Sequence, residues 1–429
     1  MSNLLTERQA LANSNTNRLY TRLELEHRIL SDSGNRALVL VNLSTIHFLT
    51  LTYGFSYGQH VLHQVIITLQ SLCNEQIIAT RTFEGHLVFY VQGKNHTDIL
   101  KTFCETLYSH LHRLLSKEGV GWGIGVMEFR EHQEPDIDKA FRNVLIASES
   151  ALDLESRCCF FTKKMQRQAT KEEAIVNDLS MIVNEQKSEN IRLQYQPIMD
   201  LKTNTICELE VLCRIESKTL GILQPIEFIH LAEKTKYIVP LGIMTFQKAF
   251  QFFQTLKKQG LDHIRLSINV SVIQLIDTDF LSTLITLLEE YAVDPSLITL
   301  EITESCIIAN YQAINSLFSD IQAQGIQLAL DDFGTGYSSL AHERTLHLNT
   351  LKIDKVFIAD LLTIPEEKTI TRDIIAMGHR LGHTIIAEGV EKEEQREYLF
   401  RHGCDKIQGY LISKPLYEDA IVRFLKARI

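Results

Sequence analysis

The sequence is poor in proline and has no long run of apolar residues. Of its 7 prolines, only Pro135 precedes residue 190. No stretch reaches the roughly 18 apolar residues that a membrane-spanning helix needs, so we expect no membrane span. The first 30 residues are polar and charged throughout and lack the apolar centre of a signal peptide. These absences predict a chain that is neither inserted in a membrane nor secreted.

Metal-type cysteine spacing and an excess of positive charge are also lacking. The 8 cysteines form no Cys-x-x-Cys pair and no zinc spacing. Scattered cysteines in a long chain are typical of free thiols, so we expect a reducing compartment, the cytoplasm. Asp and Glu number 53 against 43 Lys and Arg, and the net charge is −10. This balance argues against binding of a nucleic acid polymer but allows a local basic pocket for a small phosphate ligand.

The length and texture of the chain predict two domains joined by a helix. At about 150 residues per domain, 429 residues correspond to two or three domains. Residues 166–185 are charged, lack Gly and Pro, and place Ile175, Leu179 and Ile182 at helical spacing. We therefore predict a first domain over 1–165, a connecting helix over 166–185 and a second domain over 186–429.

The first domain alternates strand-like and helix-like segments. Strand-like runs rich in β-branched residues occupy 38–45 and 86–93, and a glycine-punctuated strand occupies 119–129. Apolar residues recur at helical spacing over 58–73 and 98–117. This alternation predicts an α+β or α/β sandwich with a central sheet.

The second domain contains eight strand-like segments, most of them separated by helix-length segments from the third onward. They lie near residues 193–199, 206–214, 264–270, 297–302, 326–331, 350–354, 384–388 and 405–409. This order predicts a TIM-like (β/α)8 barrel. Only the segment DLKTNT separates the first two strands, whereas a parallel crossover needs about a dozen residues or more. We therefore expect the first strand to run antiparallel to the second.

Polar side chains occupy these strands near their ends, where TIM barrels place their active sites. They are Glu210, Asn269, Glu301, Asp331, Asp332, Lys352, Asp354, Glu388 and Gln408. Several are spaced along the chain by roughly one strand–helix unit, so they should lie on consecutive strands and converge on one site. Carboxylate and amide oxygens suit Mg²⁺ or Mn²⁺ better than zinc. Because crowded carboxylates repel one another and Lys352 alone cannot neutralise them, we predict a bound metal.

Each of these features also has a purely structural interpretation. A single strand-end carboxylate is usually a solvated cap or half of a salt bridge, but six strands carrying metal-type ligands in register favour a metal site. The segment DDFGTGYSSL (331–340) fits either a mobile active-site loop or a tight turn with helix-capping serines. Arg214 lies on the same strand face as Glu210 and suits either a phosphate or a structural ion pair. The sequence leaves both roles of Arg214 open.

From about residue 170 to the C-terminus the sequence resembles the EAL domain, the cyclic di-GMP phosphodiesterase family. The resemblance rests on an ordered series of motifs, which are YQPIMDL, ELEVLCRI, FIHLAEKT, LSINVS, LEITES, LALDDFGTGYSSL, LKID, IIAEGVE and GCDKIQGYLISKP. The Glu-Ala-Leu of the family reads Glu210-Val211-Leu212 here, a small apolar change on the face opposite Glu210. Ile215 stands where the family often has an aromatic residue.

The resemblance implies a role for each matching position. It implies two ions, Mg²⁺ or Mn²⁺. The ligands implied for the first ion are Glu210, Asn269, Glu301 and Asp331, and those for the second are Asp331, Asp332 and Glu388. The implied catalytic residues are Lys352, which orients or activates the attacking water, Glu388, Glu210 and Asp331. The implied substrate contacts are Gln196, Leu212, Arg214, Asp354, Glu391 and Gln408. Glu304 is implied to steady the loop after Asp332.

The resemblance also implies a reaction and an assembly. A two-metal mechanism would hydrolyse one phosphodiester of cyclic di-GMP and give linear pGpG. The family resemblance further suggests a homodimer that packs through the region after DDFGTGYSSL. Two other hypotheses remain open, a receptor that binds cyclic di-GMP without cutting it and a protein-interaction scaffold. The complete ligand set and Lys352 favour the enzyme.

The first domain resembles a degenerate GGDEF domain, the diguanylate cyclase family. Asn42 and Ser44 stand where that family carries two metal-binding aspartates. The segment Phe83-Glu84-Gly85-His86-Leu87 stands where Gly-Gly-Asp-Glu-Phe belongs, and no Arg-x-x-Asp inhibitory site precedes it. We therefore expect a regulatory domain without cyclase activity, open to a regulatory protein partner.

Overall fold

The computed structural model of the chain describes residues 19–32, 34–82, 86–93, 96–129, 136–152, 154–303, 311–334, 346–363, 365 and 369–428. The chain divides into two compact units, Met1–Lys171 and Glu172–Ile429. The domain boundaries that we place at residues 165 and 185 stay predictions.

The first unit is built on a five-stranded sheet. Its strands are β1 (Arg36–Asn42), β2 (Ile77–Arg81), β3 (Leu87–Gln92), β4 (Gly123–Glu128) and β5 (Cys158–Phe160). Their order is β2-β3-β1-β4-β5, with β4 and β5 parallel and the other described pairs antiparallel. The helices are α1 (Arg22–Ser31), α2 (His47–Tyr53), α3 (Phe55–Gln70), α4 (His96–Leu115) and α5 (Ile137–Ser150). Helix α6 (Lys163–Asn184) follows β5.

The central strand β1 is buried along its whole length because both faces of the sheet are covered. Val39 and Val41 belong to one apolar cluster, which includes residues of α3 and α4. Leu38 and Leu40 belong to a second cluster, which includes residues of α1 and α5. Since successive side chains of a strand point to opposite faces, a continuous apolar strand requires helices on both sides.

The second unit is a closed eight-stranded barrel. Its strands are β6 (Ile191–Asp200), β7 (Thr205–Ser217), β9 (Arg265–Asn269), β10 (Ile298–Thr303), β11 (Gln327–Phe333), β12 (Thr350–Ile353), β13 (Thr384–Ala387) and β14 (Lys406–Gln408), and the short β8 (Gly221–Leu223) pairs with β7. Strand β7 and the strands from β9 to β14 pair in parallel around the barrel, whereas β6 is antiparallel to both β7 and β14 and closes it. The prediction of a TIM-like barrel with one reversed strand is confirmed.

Helices surround this barrel. They are α7 (Pro225–Lys234), α8 (Ile238–Lys258), α9 (Val272–Leu275), α10 (Phe280–Glu290), α11 (Tyr311–Ala323), α12 (Lys355–Ala359), α13 (Thr371–Arg380), α14 (Glu393–Arg401) and α15 (Glu418–Lys426). None of the helices within the described residues is both long and apolar enough to cross a membrane.

A tight turn produces the reversed strand. Asp200 accepts hydrogen bonds from the backbone N–H groups of Lys202 (2.9 Å) and Thr203 (2.8 Å). Asn204 then takes a positive φ of 57°, which Asn tolerates better than most residues. The chain therefore reverses within a few residues, and β7 pairs with β6 as a hairpin.

The parallel strands place apolar side chains outside the barrel and polar ones inside. On β9 and β10, Leu266, Ile268, Leu300 and Ile302 belong to the core cluster of the unit. The alternate residues of these strands are polar, and they are Ser267, Asn269, Thr299 and Glu301. Because side chains alternate along a strand, this pattern directs a column of polar groups into the barrel.

Candidate functional site

The strand register places the predicted site residues toward the carboxyl ends of neighbouring strands. Glu210 on β7 pairs with Ser267 on β9, and Asn269 pairs with Glu301 on β10. Thr303, two residues after Glu301, pairs with Asp331 on β11. Parallel strands in this register present their carboxyl ends at the same mouth, which is the functional end of a TIM barrel.

Lys352 lies at the centre of the carboxylates. Its Nζ is 2.8 Å from Glu301 Oε2, 3.1 Å from Asp331 Oδ1 and 2.6 Å from Glu388 Oε1. The side chain is fully buried, with 0% of its surface exposed. Burial opposes the charged form, but the surrounding carboxylates, led by Asp331 and Glu210, hold the pKa of Lys352 well above its ordinary value. Lys352 is therefore a fixed cation inside the barrel.

A chain of amides holds Glu210 on the other side of the site. Asn269 Nδ2 donates to Glu210 Oε1 at 3.0 Å, and Gln408 Nε2 donates to Glu210 Oε2. Gln408 Nε2 also lies 3.2 Å from Gln196 Oε1, and Gln196 Nε2 donates to the backbone oxygen of Ser413 at 3.3 Å. These bonds bring β6, β7, β9 and β14 together around one carboxylate.

Asp331, Asp332 and Glu388 form a cluster of oxygen ligands. One carboxylate oxygen of each lies within 4.8 Å of the others. Asp332 has a positive φ of 56°, and its N–H donates to Asp331 Oδ1 at 3.0 Å. This strained backbone directs two consecutive carboxylates into one site.

Burial, together with neighbouring negative charges, raises the pKa values of Asp332 and Glu388 in this cluster. Burial, followed by the charges of Asp331 and Asp354, raises the pKa of Asp332 to about 6. Burial also raises the pKa of Glu388 to about 8, against the opposing effect of Lys352. A divalent cation would relieve this repulsion, and the all-oxygen donor set fits Mg²⁺ or Mn²⁺.

Arg214 is buried beside this site with hydrogen-bonding capacity left over. Its Nη1 donates to the backbone oxygen of Cys213 at 2.9 Å, while its Nε has no hydrogen-bond partner. Burial lowers the pKa of Arg214. Among the residues that the structure describes, no carboxylate forms an ion pair with Arg214, so the alternative of a structural ion pair finds no support there. Gln408 Oε1 is likewise buried without a partner.

The remaining predicted substrate contacts differ in their placement. Leu212 is half-buried on β7. Asp354 is buried and caps helix α12, where its Oδ1 accepts from Val356 N–H at 2.8 Å. Glu391 has an exposed side chain, and its backbone N–H donates to Gln395 Oε1 at 2.9 Å. The capping bond of Asp354 is a structural role that sequence reasoning missed.

Several predictions fall outside the described residues. They concern Glu304, which we expect to steady the loop, residues 335–340 of the segment DDFGTGYSSL, and Phe83, Glu84 and Gly85 of the first unit.

Sequence reasoning also missed Ser267. Its Oγ donates to Glu301 Oε1 at 2.6 Å, and the residue has no exposed surface. The signal was available in the motif LSINVS, because residues two apart on a strand share a face. Ser267 therefore had to lie on the same face as Asn269.

Comparison with known proteins identifies the family. A family model described as the EAL domain matches residues 179–415. The chain belongs to the EAL domain family. The matched range contains every candidate site residue named above for the barrel.

Named relatives extend the similarity over most of the chain. MucR of Pseudomonas aeruginosa, a bifunctional diguanylate cyclase/cyclic di-GMP phosphodiesterase, is 26% identical over 96% of this chain and 62% of its own length. The cyclic di-GMP phosphodiesterase PdeR of Escherichia coli is 27% identical over 94% of this chain and 61% of its own. The cyclic di-GMP phosphodiesterase NbdA of P. aeruginosa is 33% identical over 62% of this chain and 34% of its own length. The chain thus spans less than two thirds of the length of these relatives.

Solved structures resemble the EAL portion of the chain. The PaMucR phosphodiesterase in complex with c-di-GMP is 32% identical and covers 58% of this chain and 99% of its own, with a TM-score of 0.54. The cAMP-bound EAL enzyme Bd1971 is 29% identical over 61% of this chain and 72% of its own, also with a TM-score of 0.54.

Proposed function

We propose that this protein is a cyclic di-GMP phosphodiesterase that opens one phosphodiester to give linear pGpG. The observation that carries the proposal is the buried Lys352, held between Glu301, Asp331 and Glu388 at the mouth of the barrel. Support comes from membership of the EAL family and from relatives that are named as cyclic di-GMP phosphodiesterases.

The metal ligands in this proposal are the oxygen groups of the site. Glu210, Asn269, Glu301 and Asp331 would hold one Mg²⁺ or Mn²⁺ ion, and Asp331, Asp332 and Glu388 would hold a second. When bound, such ions lower the pKa of a water molecule and neutralise charge on a phosphate. The crowding of Asp331, Asp332 and Glu388 supports this assignment.

The protein's own groups have separate tasks in the reaction. Lys352, with its ammonium fixed by three carboxylates, orients the attacking water toward phosphorus. Arg214 donates its unpartnered Nε–H to a phosphate oxygen. Gln408 holds Glu210 and also donates to Gln196. We assign both amides and Leu212 to the substrate side, and Asp354 and Glu391 to the periphery of the substrate. Buried positions exclude bulk water from the reacting phosphate and strengthen these interactions.

For the first unit we propose a GGDEF-like domain without cyclase activity. Asn42 ends β1, and its amide oxygen accepts from Ser44 N–H at 3.0 Å. An amide in this place offers no negative charge to a metal ion. The extension of the similarity to MucR over 96% of the chain supports the relationship to a cyclase domain. Its task would be regulatory, through a protein partner or the adjoining phosphodiesterase.

Two further parts of the proposal concern assembly and compartment. The family resemblance supports a homodimer that packs through the region after DDFGTGYSSL, and Glu304 would steady the loop after Asp332. The described cysteines are free thiols, which supports a reducing compartment such as the cytoplasm.

The proposal is tested by incubating the purified chain with cyclic di-GMP and Mg²⁺ or Mn²⁺ and separating the products by chromatography. We expect pGpG to form, EDTA to stop its formation, and Asp331→Ala and Glu210→Ala to abolish it. Full activity in metal-free buffer would contradict the metal assignment. Tight binding of cyclic di-GMP without any pGpG would instead identify a receptor.

A further inference from the structure

Ser267 lies between the two strands that carry Glu210 and Glu301. It pairs in register with Glu210 on β7 and with Thr299 on β10, and it is completely buried. Its hydroxyl belongs neither to the candidate ligands nor to the candidate substrate contacts. It therefore needs an explanation of its own.

The hydroxyl and Lys352 together hold both oxygens of Glu301. Ser267 Oγ donates to Oε1 at 2.6 Å, and Lys352 Nζ lies 2.8 Å from Oε2. The last torsion angle of a glutamate side chain, χ3, has a broad distribution without sharp rotamer wells. These two bonds, rather than the rotamer, therefore set the plane of the carboxylate.

We propose that Ser267 is a positioning residue that holds the Glu301 carboxylate in the orientation required to ligate a divalent cation. The inference rests on the proposed metal-dependent function. Hydrogen bonds to a ligating carboxylate fix its direction, and their loss typically costs about 10- to 100-fold in metal affinity or activity. Ser267 itself touches neither substrate nor metal.

The barrel offers a matched control for this inference. Thr299 Oγ1 donates to Glu208 Oε1 at 2.8 Å, and both residues are buried. Glu208 also forms an ion pair with Lys406, 2.8 Å away, and neither group belongs to the candidate ligand set. Thr299→Val therefore removes the same kind of buried hydroxyl–carboxylate bond without touching a ligand.

The test measures Mn²⁺ binding directly, by electron paramagnetic resonance of free Mn²⁺ during titration of the full-length chain. We expect Ser267→Ala to weaken the tightest Mn²⁺ binding step about 10-fold or more. Ser267→Thr keeps the hydroxyl and should stay within about threefold of the wild type, as should Thr299→Val. Hydrolysis by Ser267→Ala should recover at high Mn²⁺, because the defect lies in metal binding. If Ser267→Ala does not fold, Ser267→Cys takes its place, since a thiol is a weak donor and should give the same loss.

The outcomes separate this inference from the proposed function. Equal Mn²⁺ affinity in the wild type and Ser267→Ala would overturn the positioning role alone. Equal weakening in Thr299→Val and Ser267→Ala would also overturn it, because the effect would then be general to buried bonds in the barrel. A wild-type chain that neither binds Mn²⁺ nor hydrolyses cyclic di-GMP would overturn the proposed function and the inference with it.

Discussion

Lys352 forms a buried network of ion pairs, and we also assign it a role in the proposed reaction. Removing one partner of a buried ion pair usually costs about 3–5 kcal/mol, because the remaining charge has no compensation. We expect Lys352→Met to lower the free energy of unfolding of the metal-free protein by an amount of this order, measured by chemical denaturation in EDTA. With metal added, its hydrolysis of cyclic di-GMP should fall at least about 100-fold, the usual loss when a preorganised hydrogen-bond donor that acts in the transition state is removed.

Lys406→Met is the control for this prediction. It removes the partner of the buried Glu208, so it should also destabilise the barrel. Its turnover at saturating metal should nevertheless remain within about threefold of the wild type, since we assign Lys406 no role in the reaction. Turnover by Lys352→Met within about tenfold of the wild type would contradict our assignment.

Cys158 differs from the other described cysteines in its acidity. The Cys104 thiol donates a hydrogen bond to the Cys158 sulfur. This hydrogen bond lowers the pKa of Cys158, whereas the same hydrogen bond and burial raise the pKa of Cys104. Burial raises the pKa of Cys73 to about 11 and that of Cys404 to about 12. Because the thiolate is the nucleophile, iodoacetamide at pH 8 should modify Cys158 first among the described cysteines.

Mass spectrometry of peptides taken at successive times would measure the order in which iodoacetamide modifies the cysteines. Cys104→Ala removes the donor and should slow the modification of Cys158. Earlier modification of Cys73 or Cys404 would show that the arrangement of Cys104 and Cys158 is wrong.

At the residue level, the types of residue in the site were more predictable than the contacts between their side chains. Strand-end position and ligand chemistry were enough to nominate Glu301 and Asp331. The sequence could not show that Lys352 reaches three carboxylates, because those contacts depend on the tilt and closure of the barrel. Nor could it show the positive φ of Asp332, which is an unusual backbone state for a residue other than glycine.

At the scale of elements, helix α5 lies directly on strand β4 at a glycine. A Cβ added at Gly125 would overlap the backbone of α5 at Val144 and Ser148. Overpacking typically costs about 1–3 kcal/mol, and backbone atoms cannot move aside as a side-chain end can. We expect Gly125→Ala to lower the thermal midpoint of unfolding by several degrees.

Gly34→Ala is the matched control, since a Cβ there meets nothing within 4 Å. It should leave the midpoint nearly unchanged in the same calorimetric scan. A Gly125→Ala protein as stable as Gly34→Ala would mean that α5 packs differently from the arrangement described.

The elements of the barrel were easier to predict than those of the first unit. Each barrel strand is followed by a helix or a turn signal, and the short segment DLKTNT required the reversal of β6. Strand β2 (IIATR) and the three-residue β5 were missed because each segment is too short to show a clear alternation of apolar and polar residues. Their pairing partners, rather than their own sequence, make them strands.

At the scale of the whole molecule, the chain joins an EAL domain to a first unit for which we propose a cyclase-like fold without cyclase activity. In the described part of that unit, the end of β1 carries Asn42, whose amide oxygen is engaged with Ser44 N–H. Phosphoryl transfer from GTP depends on metal ions that neutralise developing charge, and a neutral amide is a poor substitute for an acidic ligand. We therefore expect no synthesis of cyclic di-GMP.

A measurement on the wild type alone could miss such synthesis, because the EAL site would consume the product. Asp331→Ala removes that loss while leaving the first unit unchanged. Incubated with GTP and Mg²⁺ or Mn²⁺, the full-length Asp331→Ala protein should accumulate no cyclic di-GMP, although cyclic di-GMP added at the start should persist undegraded. The persistence of the added nucleotide shows that any product would have been detected. Accumulation of cyclic di-GMP from GTP would mean that the first unit retains a cyclase site despite Asn42 and Ser44, and that the chain both makes and breaks the same nucleotide.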